Sequence, residues 1–141
     1  MTEINFTDSL YFASVRFTKI LTKRCTQQFK RAALSPACAF ILMSLNGDDT
    51  TTPTQLADIL SVDQSTITRS LNQLEQRTLI KRENAGRHVV VSLTIDGRQL
   101  QPTLARLWTD LNRSYQTMFT VNDESQLCAL LKSSLTRALK E

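Results

Sequence analysis

Residues 63–76 read "DQSTITRSLNQLEQ", and the fold turns on how this stretch is interpreted. Ile67, Leu71 and Leu74 fall at i, i+4 and i+7, the apolar stripe of a helix packed on one side. The opposite face holds Gln64, Ser65, Thr68, Arg69, Asn72, Gln73 and Gln76, with no Asp or Glu between Gln64 and Leu74. A solvated helix usually carries Glu and Lys there, because they favour helix and pair along it. Hydroxyls and amides are poorer helix formers, so helix stability does not explain this face.

Just upstream, "TPTQLADILS" (52–61) opens a short helix. Thr52 is its N-cap, Pro53 takes the first helical position and Gln55 completes a capping box. "SVDQ" (61–64) is a short connection with Asp63 as the next N-cap, so the two helices form a helix-turn-helix. Downstream the period changes. "LIKRE" (79–83) and "HVVVSLT" (88–94) are strand-like and flank "NAGR" (84–87), where Gly86 supplies the positive φ of a tight turn. A hairpin directly behind a helix-turn-helix is a wing.

The flanks are helical. Residues 6–31 contain no Pro or Gly and repeat apolar residues at Phe6, Leu10, Ala13, Phe17 and Leu21, with Phe12, Val15 and Ile20 beside them. This predicts a helix contacted from two sides. Ser35 and Pro36 open a second helix through Phe40, Ile41 and Leu45, which "NGDD" (46–49) stops. Leu100, Leu104, Leu107, Trp108, Leu111, Tyr115 and Met118 make one late seam, with Pro102 starting or kinking its helix. Leu127, Leu130, Leu131, Leu135, Ala138 and Leu139 make another, capped by Thr120 or Asn122. Together these helices carry more apolar surface than a small core uses. A dimer interface built from both chain ends explains the excess; packing within one chain is the alternative.

Composition narrows the function. The 141 residues suffice for one compact domain or two small halves, and no apolar run spans a bilayer. The N-terminus lacks the features of a secretory signal, which places the protein in the cytoplasm, away from membranes. Net charge is +4, and Arg16, Lys19, Lys23, Arg24, Lys30 and Arg31 lie in a stretch without acidic residues. Such a patch suits a polyanion, though a plain solvated face has the same composition. Three scattered cysteines, Cys25, Cys38 and Cys128, form no disulfide framework, and a single histidine, His88, makes no His-rich metal site. With no nucleophile elbow and no Gly-rich phosphate loop, the chain reads as neither enzyme nor cofactor protein.

The order helix, helix, helix-turn-helix, wing and two closing helices resembles the MarR family of winged-helix transcriptional regulators over essentially the whole chain. The resemblance is carried by residues 56–100, "LADILSVDQSTITRSLNQLEQRTLIKRENAGRHVVVSLTIDGRQL". Within it, "DQSTITRSLNQLE" is similar to the family's recognition helix and "VSLTIDGRQL" to its strand-to-helix junction. The fold expected is mainly α with a small β-hairpin wing. Residues 34–98 form the winged helix-turn-helix, and 1–33 and 99–141 form a helical dimerisation region. Three positions depart from the family pattern. Thr78 replaces a common Gly, so the recognition helix must end without an easy left-handed residue. Ala85 stands where the family has an Asp two residues before the wing Arg, here Arg87, and the wing is short. Cys38 replaces a common Gln.

On this reading the helix at 63–76 enters the major groove of double-stranded DNA, where its side chains match base-edge donors and acceptors. Ser65, Thr66, Thr68 and Arg69 lie early enough to reach bases, while Gln64, Asn72 and Gln73 touch phosphates. Arg69 is the leading base reader, with phosphate contact as the alternative. Arg87 reaches the minor groove. Lys81 and Arg82 sit on the DNA backbone or serve as strand-edge charge. A homodimer then recognises an inverted-repeat operator. The resemblance further implies a repressor relieved by a small, often aromatic or phenolic, ligand. Two alternatives stay open. One is oxidant sensing through Cys38, whose first-turn position favours thiolate, against the plainer reading of a small buried residue. The other is a helical protein-binding adaptor that has lost DNA.

Overall fold

A computed structural model describes residues 3–46 and 49–140. Its elements in order are α1 (Leu10–Phe29), a 3-10 turn (Lys30–Ala32), α2 (Pro36–Ser44), α3 (Pro53–Leu60), α4 (Gln64–Gln76), β1 (Ile80–Ala85), β2 (His88–Leu93), α5 (Ile95–Gln116) and α6 (Asp123–Ala138). This is a mainly α chain with one antiparallel hairpin, Ile80 opposite Leu93 and Ala85 opposite His88. Two compact units divide within α5, between Leu107 and Trp108.

The local signals largely set the element ends. Ser35 accepts from the Cys38 N–H and caps α2, with Pro36 in the first turn. Thr52 and Gln55 form both halves of the capping box of α3. Asp63 occupies the N-cap of α4 in extended conformation, but its side chain makes no capping bond. α1 starts later than its apolar pattern. Ser9 caps it, and Phe6 lies before the helix with its ring edge-on to Phe12. α2 ends at Ser44, where Leu45 turns extended and the Gln101 amide donates to the carbonyls of Leu42 and Leu45. Those carbonyls lack helical partners, and a side chain from α5 supplies one. Of the expected "NGDD" stop, Gly47 and Asp48 lie outside the described residues. Pro102 neither starts nor ends a helix, since α5 runs through it. No helix among the described residues is long and apolar enough to cross a membrane.

The first unit packs around the stripe of α4. Ile67, Leu71 and Leu74 are fully buried with Phe29, Ile41, Leu42, Leu56, Ile80, Val91 and Leu104. Each such side chain contributes about 1.5–3 kcal/mol relative to its exposed state. Thr51 bridges Val91 through two backbone bonds, N–H to O at 3.1 and 2.7 Å, tying the strap before α3 to β2. In the second unit, α6 buries none of its residues.

Candidate nucleic-acid interface

The face opposite the buried stripe of α4 is open. Gln64, Ser65, Thr68, Arg69, Asn72 and Gln73 are all exposed, whereas Thr66 is only half-exposed and sits at the flank. The Thr68 hydroxyl donates to the Gln64 carbonyl at 3.0 Å, which leaves its oxygen as an acceptor. Arg69 makes no side-chain hydrogen bond or ion pair among the described residues. It extends from the middle of the helix without a structural duty.

The expected phosphate contacts are more constrained. Gln73 turns its Oε1 toward the Cys38 thiol, 3.5 Å away, so it partly faces back into the domain. Asn72 offers its Oδ1 to Arg82 Nη2 at 2.8 Å. Arg82 also grips Glu75 with two bonds, Nε to Oε2 and Nη2 to Oε1, both 3.0 Å. Arg82 therefore ties β1 to α4 and is committed within the protein, which differs from a free backbone-contacting cation. Those bonds hold the Glu75 carboxyl below the usual carboxylate range and raise the Arg82 guanidinium above its own. Lys81 is exposed and pairs with Glu83 at 3.3 Å, a strand-edge ion pair. Such exposed pairs add little to stability and leave the lysine able to exchange partners.

Arg87 stands at the far end of the wing. Gly86, at φ +67°, takes the first position of a two-residue turn and Arg87 the second, matching the glycine-first hairpin turn. The tip is exposed, Ala85 included. Arg69 and Arg87 are thus presented by two neighbouring elements that Arg82 joins.

At the end of α4, Thr78, in the place of the common glycine, itself takes the left-handed conformation, at φ +58°. A β-branched residue there is strained, by roughly 1–2 kcal/mol. The surrounding bonds hold it. Its N–H donates to Glu75 O and its carbonyl accepts from the Thr94 hydroxyl at 2.6 Å. Arg77 Nη1 donates to Ala33 O at 2.6 Å, joining the helix end to another left-handed residue, Ala33 at φ +56°. Ser61, at φ +53°, plays the same part at the end of α3. Glu75, Arg77, Thr94 and Gly97 were not singled out from sequence. The "VSLTIDGRQL" junction was the only pointer to Thr94 and Gly97.

Cys38 is buried at 2% exposure, its thiol donating toward Ser70 O at 3.7 Å as well as to Gln73. It lines a cavity of about 200 Å³ with Ala33, Leu34, Gln73 and Arg77. Its place in the first turn of α2 is as expected, and its side chain is buried there, with the cavity beside it. The thiol packs where α2 crosses α4 at the small, buried Ser70.

Comparison with known proteins follows the same lines. Residues 34–85 match the model of the MarR family. No curated protein sequence is significantly similar to the chain. Among solved structures, BpsR of Bordetella bronchiseptica, whose DNA binding is regulated by 6-hydroxynicotinic acid, superposes with a TM-score of 0.85 at 19% identity, covering 95% of this chain and 99% of that one. MepR of S. aureus in complex with DNA gives 0.77 at 16% identity, over 92% and 98% of the two chains. A mutant MarR from E. coli complexed with operator DNA gives 0.78 at 23%, over 94% and 99%. The segment from the start of α2 through β1 matches by sequence and the rest by shape. Residues 34–85 thus resemble the MarR family by sequence, and the chain as a whole has the winged helix-turn-helix fold of these solved structures.

Proposed function

We propose that the protein is a cytoplasmic, sequence-specific DNA-binding regulator that works as a homodimer. In this reading it is a repressor released by a small aromatic or phenolic ligand. The observation that carries the reading is the two-sided character of α4, with one side wholly buried and the other an exposed row of amides, hydroxyls and Arg69. Placed in a major groove, Ser65, Thr68 and Arg69 meet base edges, and Arg69 grips guanine O6 and N7 together. Gln64 and Lys81 meet phosphates, and Arg87 enters the adjacent minor groove.

Residues 34–98 serve as the DNA-binding part, and residues 1–33 and 99–141 as the dimerisation region. Support comes from apolar side chains left in solvent in both segments. Leu10 is 85% exposed on α1 and Leu139 77% just beyond α6, with Tyr11, Ile20, Leu130, Leu131 and Leu135 also exposed. Burying such surfaces in a symmetric pair sets two recognition helices about one DNA turn apart, ~34–36 Å, on an inverted repeat. Ligand control finds support in BpsR, where 6-hydroxynicotinic acid regulates DNA binding.

The test is selection from random duplex DNA by the purified, reduced protein at near-physiological salt, with molar mass measured in parallel. A recovered inverted repeat and a dimeric mass are expected. Weak, salt-sensitive binding without a preferred sequence would overturn the reading and favour a protein-binding adaptor.

A further inference from the structure

Glu75 is the only carboxylate on the exposed side of α4, and it lies on the helix proposed to face a polyanion. A free carboxylate there repels phosphate, so its presence asks for a reason. The reason is geometric. Arg82 leaves β1, sets Nε and Nη2 against both Glu75 oxygens, and uses the second Nη2 hydrogen on Asn72 Oδ1. Three of its five N–H donors are thereby spent on α4. A planar fork meeting a carboxylate in this way fixes direction as well as distance. The residues span from about one turn before the end of the recognition helix to the third residue of the wing strand.

We propose that Arg82 is a positioning residue, which through Glu75 and Asn72 locks the wing to the recognition helix and turns the Asn72 amide N–H groups outward. The inference rests on the DNA-binding reading above. An arginine only donates, so the Asn72 oxygen faces it with one of its two lone pairs and both amide hydrogens remain for a partner. Asn72 then addresses acceptors first, a phosphate oxygen or guanine O6 or N7. The paired contact with adenine, which needs an oxygen acceptor and an N–H donor together, would have to share that oxygen with Arg82. The same lock carries Arg87, five residues farther along the hairpin, at a set place relative to Arg69, so that two readers on different elements approach one duplex together. The same bonds lower the Glu75 carboxyl, so the pair stays ionised farther into the acid range than a free glutamate would.

The experiment compares wild type, Glu75→Gln, Arg82→Met and the double variant. Affinity for the selected duplex is measured over a salt series, amide exchange over residues 80–85, and melting temperature alongside. Removing a carboxylate beside DNA ordinarily tightens binding. A positioning role gives the opposite sign, with Glu75→Gln weakening specific binding about three- to tenfold, a loss of the size expected for misplaced charge contacts. Arg82→Met should lose a similar factor with its salt slope nearly unchanged, and the double variant should lose no more than either. Wing amides should exchange faster in all three. If repeated selection with Arg82→Met changes the base preference at one symmetric position, Asn72 addresses a base; weaker binding with an unchanged preference puts it on phosphate. Equal or tighter binding by Glu75→Gln together with unchanged wing exchange overturns the proposal. Should wild type bind no duplex at all, the DNA-binding reading and the role of Asn72 both fall, while wing exchange still decides the lock.

Discussion

Gly97, in the first turn of α5, is held to glycine by a close backbone approach, and its replacement has a calculable consequence. A Cβ there would stand 2.2 Å from the Leu79 carbonyl oxygen, 3.2 Å from the Leu79 carbonyl carbon and 3.1 Å from Leu93 Cδ2. The first contact is short of ordinary van der Waals separation by roughly 1 Å, and its partner is main chain. The Leu79 oxygen also accepts from the Thr94 N–H at 3.2 Å, so moving it away loosens the junction between wing and α5. Overpacking of this kind costs about 1–3 kcal/mol, and a loosened hydrogen bond adds about 1. Against this, alanine is favoured over glycine inside a helix by about 0.5–1 kcal/mol. Gly97→Ala should therefore destabilise by about 1–3 kcal/mol and lower the melting temperature by roughly 3–10 °C, read by circular dichroism at fixed protein concentration. Gly86→Ala is the contrasting control. Nothing lies within 4 Å of its added Cβ, so only the positive φ opposes it, at about 1 kcal/mol. Adding Leu93→Ala should not rescue Gly97→Ala, because the nearest obstacle is the carbonyl. A melting temperature for Gly97→Ala equal to or above wild type would refute the reasoning.

Four other outcomes follow from the same geometry. Arg69→Ala should cost roughly 1–3 kcal/mol on the selected duplex and relax one position, whereas equal loss on random DNA would exclude base reading. Arg87→Ala should lower affinity and reduce the steepness of the salt dependence by about one phosphate contact, and an unchanged slope would show that the short wing does not dock. Thr78→Gly should raise stability by up to about 1 kcal/mol in thermal unfolding, since glycine relieves the left-handed strain; a lower melting temperature would contradict that strain. Burial pushes the Cys25 thiol up and encloses Cys38, so both should react slowly with a thiol reagent at neutral pH and become fast only on unfolding. Rapid labelling of Cys38 in the folded protein would favour an oxidant-sensing role.

The features legible in the sequence are those whose causes lie within one or two helical turns. Ser35 and Thr52 cap their helices because a side chain reaches a backbone N–H three residues on, and Gln55 reaches back to the Thr52 N–H, wherever the helix is packed. Ile67, Leu71 and Leu74 identify the buried side of α4 because the period of the helix is fixed by its own hydrogen bonds. From these, with Gly86 in its turn, the winged helix-turn-helix and the open polar face could be read without any knowledge of packing. Left-handed residues were harder. With only three glycines in the chain, Ala33, Ser61 and Thr78 take positive φ where sequence offers no glycine; bonds from distant elements hold Ala33 and Thr78, and the local helix-end bonds to Ala57 O hold Ser61. Tertiary structure alone decided which polar side chains are free. Arg82 looks like a plain strand-edge or DNA-backbone cation in sequence, but folding brings β1 against α4 and sets its guanidinium on Glu75 and on the Asn72 oxygen. Cys38 occupies the predicted helix turn, yet its exposure depends on how α2 crosses α4 at Ser70. Whether a Cβ fits at Gly97 depends on a carbonyl eighteen residues away. Periodicity and capping are properties of the chain taken a few residues at a time; partners and access arise only when distant segments occupy the same space.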